Sequence, residues 1–346
     1  MSERSLASVQ RIAEIKSIPG ADAIEAVRVN GWWVVAKKEE FQVGDLCVYF
    51  EIDSVLPVRK EFEFLRKGCY VKKDWLPSGE GFRLRTIKLR GQVSQGLVIP
   101  KPTALMDAVE GDVLTAYFGV VKWDPPVPAE LTGQARGSFP SFIRKTDQER
   151  VQNCYNEIPS GSYVMEEKLE GSSCTIYFYN GVYGVCSRNL DLEIEEYNKD
   201  NAFIKTASRY GFDGALKHFG KNIAIQAELV GPGIQGNIYK LHEPKLFVFD
   251  VFDIDKQEYL TPAERTEVLN KLESGGLFKF DRVPVVGNFV MNPSVFCPTT
   301  EDILSLAEGK SELNMIQERE GVVFKSLAGR FSFKAISNVY LLKQKD

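Results

Sequence analysis

A stretch dense in proline and glycine interrupts every periodicity in this chain. Asp124-Pro125-Pro126-Val127-Pro128 is followed by the glycines and prolines between Gly133 and Pro140. Such a segment neither continues a helix nor pairs readily in a sheet, so residues 123–142 read as a linker. The 346-residue chain then divides into residues 1–122 and 143–346, each of ordinary size for one domain.

The first part reads as short strands separated by turns. Val27 to Ala36 is rich in β-branched and aromatic residues, with Asn30-Gly31 as a two-residue hairpin signal. Leu46 to Ile52 follows a turn at Val43-Gly44-Asp45. Phe82 to Arg90 alternates apolar and basic residues, the period of a half-buried strand. The alternation slips at Thr86-Ile87, so a bulge is needed to keep Arg83, Arg85, Lys88 and Arg90 on one face. With Gly96 to Pro100, this series predicts a small β-barrel of the OB type.

Charge is unevenly placed. Between Arg59 and Arg90 there are ten basic and four acidic residues, although the whole chain carries −4. A polyanion-binding surface fits that asymmetry, and so does a plain solvated face. Arg83, Arg85, Lys88 and Arg90 are the candidates for gripping a nucleic-acid backbone. No apolar run approaches the ~18 residues of a membrane span, and Met1 to Lys16 has no signal-peptide core. A soluble, intracellular protein without a membrane partner is expected. Six scattered cysteines and two histidines leave little from which to build a zinc cluster, a disulfide scaffold or a Cys/His catalytic pair.

The second part alternates strands with a few helices, an α+β pattern. Tyr163 to Met165, Cys174 to Tyr179 and Val182 to Ser187 read as strands, the last two joined at Asn180-Gly181. Asn201 to Phe212 and Pro262 to Glu273 read as helices, the second opened by the capping box Thr261-Pro262-Ala263-Glu264. Ile223 to Val230 and Leu246 to Val251 are buried-strand candidates, and Gly321 to Lys325 forms a hairpin with Phe331 to Ala335.

Six short motifs stand in order along this part. They are Lys168-Leu169-Glu170-Gly171, Ser187-Arg188-Asn189, Glu228-Leu229-Val230-Gly231, Phe247-Val248-Phe249-Asp250, Glu320-Gly321-Val322-Val323-Phe324-Lys325 and the strand ending at Lys334. Singly each is common; the ordered set resembles the covalent nucleotidyltransferase superfamily of polynucleotide ligases and mRNA-capping guanylyltransferases. With an OB-like module ahead of the motifs, the chain is similar over nearly its whole length to the Deinococcus/Naegleria-type RNA ligases, the fifth RNA ligase family. Most DNA ligases and capping enzymes carry an OB module after the transferase domain, whereas only a short tail follows Lys334 here.

The resemblance implies an N-terminal OB-fold β-barrel followed by a nucleotidyltransferase domain with an ATP-grasp-like antiparallel sheet. It implies an ATP-dependent RNA ligase that joins 3′-hydroxyl and 5′-phosphate ends through lysyl-AMP and adenylylated nucleic-acid intermediates. The alternatives are DNA ligation or guanylyl transfer to RNA ends. The expected partner is a nicked duplex with an RNA 3′-hydroxyl strand, and the expected state a monomer.

Lysine chemistry sharpens the roles. An amine attacks phosphorus only when neutral, and a free lysine has a pKa near ~10.4. The carboxylates around Lys168 favour its ammonium, so a divalent cation is needed to reverse the balance. The resemblance puts Glu170, Glu228 and Glu320 around that cation, mostly through its waters, with Mg²⁺ or Mn²⁺ as the metal and ATP as the nucleotide. Glu170 stands where aspartate is commoner. Lys325 and Lys334, on adjacent strands, are candidates for the α-phosphate. Phe249 is either an adenine-stacking ring or a core residue. Glu166 or Glu167 is the candidate for the adenine amino group, Arg188 for a substrate phosphate or 3′ end, and Asn189 for the terminal ribose.

Overall fold

The computed structural model describes residues 5–123, 134–274, 279–292 and 298–343. Contacts divide the chain into two units, Met1–Pro126 with Leu341–Asp346, and Val127–Tyr340.

The first unit is organised by one long strand, Ala7–Ser17. Its first half pairs with Leu46–Phe50 (Ala7 opposite Phe50), and its second half with Ile24–Val29 (Ser17 opposite Glu25). An irregularity between Ile12 and Glu14 marks the change of partner. A bulge there bends the strand and curls the sheet, which is what closing a small barrel requires. The Asn30-Gly31 hairpin joins Ile24–Val29 to Trp32–Lys37 as the sequence predicts. Two clusters fill the interior, one around Phe50, Phe62 and Phe118 and the other around Trp32 and Tyr49.

The predicted continuous strand from Phe82 to Arg90 is not formed. Glu80–Arg83 pairs with Ser54–Leu56 and Tyr70–Lys72, whereas Thr86–Leu89 forms a separate hairpin with Gln92–Gln95. The slip at Thr86-Ile87 therefore marks a change of sheet, and the four cations do not share a face.

In the second unit, Ser172–Tyr179, Val182–Cys186, Ile223–Val230 and Lys245–Asp253 lie in one sheet. The strand Gly161–Lys168 belongs to another sheet with Val285–Met291, Gly321–Ser326, Ser332–Ile336 and Glu149–Arg150. One face of that second sheet packs Tyr163, Phe289, Phe324 and Phe333, with the last two rings stacked 4.6 Å apart. Each such ring contributes about 1.5–3 kcal/mol on burial, which leaves the opposite face free to be polar.

Other expectations are adjusted locally. Helix Pro262–Glu273 keeps its predicted limits, with both hydrogen bonds of the capping box present. The helix predicted over 201–212 stops at Arg209, and a second helix, Phe212–Phe219, starts after Gly211 at φ +66°. Of the predicted linker, residues 124–133 lie outside the described residues. Ala135–Ser138 is a strand paired with Leu190–Leu192, and Arg136 clamps Asp191 through two 3.0 Å bonds. A bidentate charge-assisted pair of this kind ties down a segment whose composition alone reads as loop.

Candidate active site

Strand register assembles the motif residues. Opposite Gly321–Ser326 in Gly161–Lys168, Lys168 faces Gly321, Glu166 faces Val323, and Val164 faces Lys325. On the other side Lys334 faces Val323, and Arg150 stands beside Lys334 in a short parallel pairing. Because side chains alternate along a strand, Glu166, Lys168, Lys325, Lys334 and Arg150 share the polar face. Glu167 falls on the other face, where its carboxylate accepts from the backbone N–H of Glu312 at 2.8 Å. The sequence left Glu166 and Glu167 as equals; the pleat separates them.

The glycine of the lysine motif is dictated by close approach. A Cβ at Gly171 would lie 2.4 Å from the carbonyl oxygen of Leu229 and 2.9 Å from the Cγ of Glu228. Only glycine lets the turn after Lys168 press against the strand that carries Glu228.

The Lys168 amine donates to Glu320 at 2.6 Å. Burial presses its pKa down, Glu320 and Glu228 push it up, Arg150 opposes them, and the net lies above the ordinary lysine value. Unaided, the site therefore holds Lys168 as an unreactive ammonium. Burial pushes Glu228 up to about 8, against the pull of Lys168 and with the help of Glu320. Lys334 donates to Asp147 at 2.9 Å. Its pKa lies below the usual lysine value because of burial, only partly offset by Asp147, and because Lys168 and Arg150 stand near. Lys168 thus stands among two acidic groups, Glu320 and Glu228, and two further basic ones, Arg150 and Lys334, which together suit an anionic substrate.

The Glu228 shift predicts a pH signature. Between about 4.5 and about 8 the folded protein keeps a proton on Glu228 that the unfolded chain has lost, so stability declines as pH rises through that window. Without added metal, the fall in thermal midpoint from pH 5 to pH 9 should shrink by several degrees in Glu228→Gln. Equal falls in both proteins would show that Glu228 is not raised.

A buried quartet occupies the rest of the face. Lys325 donates to Asp250 at 2.7 Å and lies 3.2 Å from Glu166; Arg265 pairs with Glu166 and reaches Asp250 at 4.0 Å. Burial works against Glu166, but Lys325 and Arg265 more than offset it and hold the carboxyl below its usual range. For Asp250 burial wins, and its pKa is raised. Lys325, predicted at the α-phosphate, is thus committed to two carboxylates.

Phe249 is unpaired in a bulge: Gln226 lies opposite Asp250, and the next residue, Ala227, lies opposite Val248. The Lys325 amine is 5.7 Å from the centroid of the half-buried Phe249 ring as well as bonded to Asp250. Regular alternation would send consecutive side chains to opposite faces; the bulge lets both meet one ammonium. The carbonyl of Phe249 also accepts from Lys325 and Arg265.

Glu170 is bonded to two tyrosines. Its carboxylate accepts from the Tyr340 hydroxyl, while its backbone N–H donates to the Tyr239 hydroxyl at 2.6 Å. Among the described residues, no three His, Cys, Asp or Glu side chains converge as direct metal ligands. Arg188 is exposed and close enough to act on Glu228, and Asn189 accepts from Lys145 at 2.9 Å.

The four basic candidates of the first unit also differ. Arg83 stacks on Trp123 at 4.1 Å, and Arg85 lies near Cys69. Lys88 and Arg90 stand exposed on the Thr86–Gln95 hairpin.

Sequence reading missed Arg150, Arg265 and Tyr340. The capping box announces the helix that carries Arg265, but no local pattern marks where its side chain ends. Arg150 sits in a two-residue strand with no periodicity of its own.

An OB-fold domain model matches residues 6–101, and an RNA ligase model matches residues 161–336. No curated protein sequence matches. Among solved structures, Naegleria gruberi RNA ligase with PPi is 42% identical, covering 98% of each chain at a TM-score of 0.89. A glutamate-to-alanine variant of that ligase with ATP and Mn matches at 42% identity and TM-score 0.90, over 99% of this chain and 100% of the other. A lysine-to-methionine variant with AMP and Mn matches at 42% and 0.91 with the same coverage. The curled sheet of the first unit is accordingly an OB-fold, the second unit has the nucleotidyltransferase fold, and the chain belongs to the RNA ligase family.

Proposed function

We propose that this protein is an ATP-dependent ligase that seals RNA 3′-hydroxyl ends to 5′-phosphates at nicks in duplexes, with residues 1–122 gripping nucleic acid and 143–346 carrying the chemistry. The carrying observation is the Lys168 amine 2.6 Å from Glu320, with Glu228 beside it and Arg150 and Lys334 nearby. The similar Naegleria protein, solved with ATP and Mn and with AMP and Mn, supports the nucleotide and the metal.

In the first transfer the neutral Lys168 nitrogen bonds to the α-phosphorus of ATP, the bond to the β-phosphate oxygen breaks, and pyrophosphate leaves. Arg150 and Lys334 balance the charge that builds on the phosphoryl oxygens. In the second, an oxygen of the 5′-phosphate end attacks the same phosphorus and Lys168 is released. In the third, the 3′-hydroxyl oxygen attacks the activated 5′-phosphate and AMP departs. Arg188 and Asn189 are assigned to the nucleic-acid ends, and Phe249 with Glu166 to the adenine.

The residues fit a hydrated divalent cation, Mg²⁺ or Mn²⁺. Glu320 and Glu228 offer oxygen donors, the type such an ion prefers, beside the Lys168 amine. Glu228 and Glu320 would hold it through water, joined by Glu170 once that carboxylate leaves Tyr340. When bound it supplies the positive charge that favours neutral Lys168.

The test is sealing of nicks that end in ribose or deoxyribose, together with acid-stable labelling by radioactive ATP or GTP. Ribose-ended sealing and ATP labelling are expected. A preference for deoxyribose ends or for GTP would redirect the reading to DNA ligation or capping. Arg150→Ala should slow adenylate formation by about 100-fold, since one charge-assisted phosphate contact is lost.

A further inference from the structure

The Thr86–Gln95 hairpin carries an arrangement that a phosphate grip alone does not need. Its turn is Arg90-Gly91, both at positive φ (48° and 86°), the tight two-residue turn whose twist matches its flanking strands. The base of the hairpin is pinned, since the Val35 backbone N–H donates to the Ser94 hydroxyl at 2.9 Å. On the outgoing strand Ile87 and Leu89 are 42% and 39% exposed, and they alternate with exposed Lys88 and Arg90. Adjacent strand residues point to opposite faces, so Ile87 and Leu89 lie on one face of the finger and Lys88 on the other, with Arg90 in the turn at its tip. Exposed aliphatic side chains set at strand spacing on a stiff finger mark a contact surface, and the basic stretch around them selects a polyanion.

Resting on the RNA ligase reading, we propose that this hairpin is the element that distinguishes A-form from B-form duplex. It would lie along the minor groove with the Ile87 and Leu89 face on the riboses, while the long side chains of Lys88 and Arg90 reach around the edge and tip of the ribbon to the phosphates. An A-form minor groove is wide and shallow and displays ribose, whereas a B-form minor groove is only ~6 Å across. A two-stranded ribbon fits the first and is excluded from the second. The finger is already ordered, so little entropy is lost when it docks.

The full-length protein, without ATP, is titrated against fluorescent nicked duplexes of one sequence, all-RNA or all-DNA, over a range of salt. Wild type should bind RNA about 10-fold or more tightly than DNA. The double variant Ile87→Ser/Leu89→Ser should lose about 5- to 10-fold on RNA and little on DNA, with an unchanged salt slope. Lys88→Ala/Arg90→Ala should weaken both and reduce that slope by about 1–2. Equal loss on both duplexes in the serine variant, or no loss on either, overturns the proposal; a hairpin that serves a protein partner would give the second result. A thermal midpoint close to wild type shows that the variant is folded, and Leu89→Ser alone carries the same comparison if the double variant is not. ATP labelling of wild-type Lys168 is scored separately, so failure of the enzyme reading and failure of the hairpin reading are told apart.

Discussion

Replacing Lys168 with alanine is expected to remove acid-stable labelling by ATP, a loss of at least about 10⁴-fold, while sealing of a strand supplied with its 5′-adenylate already attached persists. The substitute nucleophile to test is the amine of Lys334, and the geometry argues against it. Lys334 is tied to Asp147 at 2.9 Å, and Lys168 is among the charges that depress its pKa. Removing Lys168 relieves that depression, so Lys334 becomes more firmly protonated and a poorer nucleophile. Labelled peptide mapping checks this; adenylate found on Lys334 in the variant, or on any residue other than Lys168 in wild type, would contradict the assignment.

Asp250→Ala should strongly destabilise the second unit. Asp250 is buried and bonded to Lys325 at 2.7 Å, with Arg265 at 4.0 Å. Its loss leaves two buried cations facing only Glu166. Breaking a buried ion network by removing one partner costs about 3–5 kcal/mol, because the remaining charge stays desolvated. For a unit of this size that corresponds to a thermal midpoint lower by about 10 °C. Substituting Asp250→Asn keeps a hydrogen-bond acceptor and should cost less. Differential scanning calorimetry decides: a drop under about 2 °C for the alanine variant would mean that the quartet does not hold the sheets.

Much of the architecture is legible in the sequence where the signal is local. The Asn30-Gly31 and Asn180-Gly181 hairpins and the capped helix at Pro262 stand where their residues predict. Motif order places Lys168, Glu228 and Glu320 in one neighbourhood although they are far apart in the chain. What stays hidden depends on register and reach. Strand alternation makes Glu166 and Glu167 unlike, yet which of them faces the site follows from the pairing with Gly321–Ser326. Nothing in the sequence around Lys325 marks Asp250 and Glu166, the two carboxylates brought against it. The Tyr340 hydroxyl that the Glu170 carboxylate accepts from is likewise marked by nothing in the sequence around Glu170. The Phe82 to Arg90 alternation is genuine, but two separate hairpins share it.

The extra residue at Phe249 has an evolutionary corollary. Deleting it would give Ile223–Val230 and Lys245–Asp253 an unbroken ladder, and by strand propensity alone the shortened chain should fold as well or better. It would also turn every side chain on one flank through half a pleat and part Asp250 from Lys325, leaving that ammonium with Glu166 alone. Descendants of this gene can therefore vary the ring at 249 but have no freedom in residue count there, and alignments of its relatives should show substitutions but never a gap at that position.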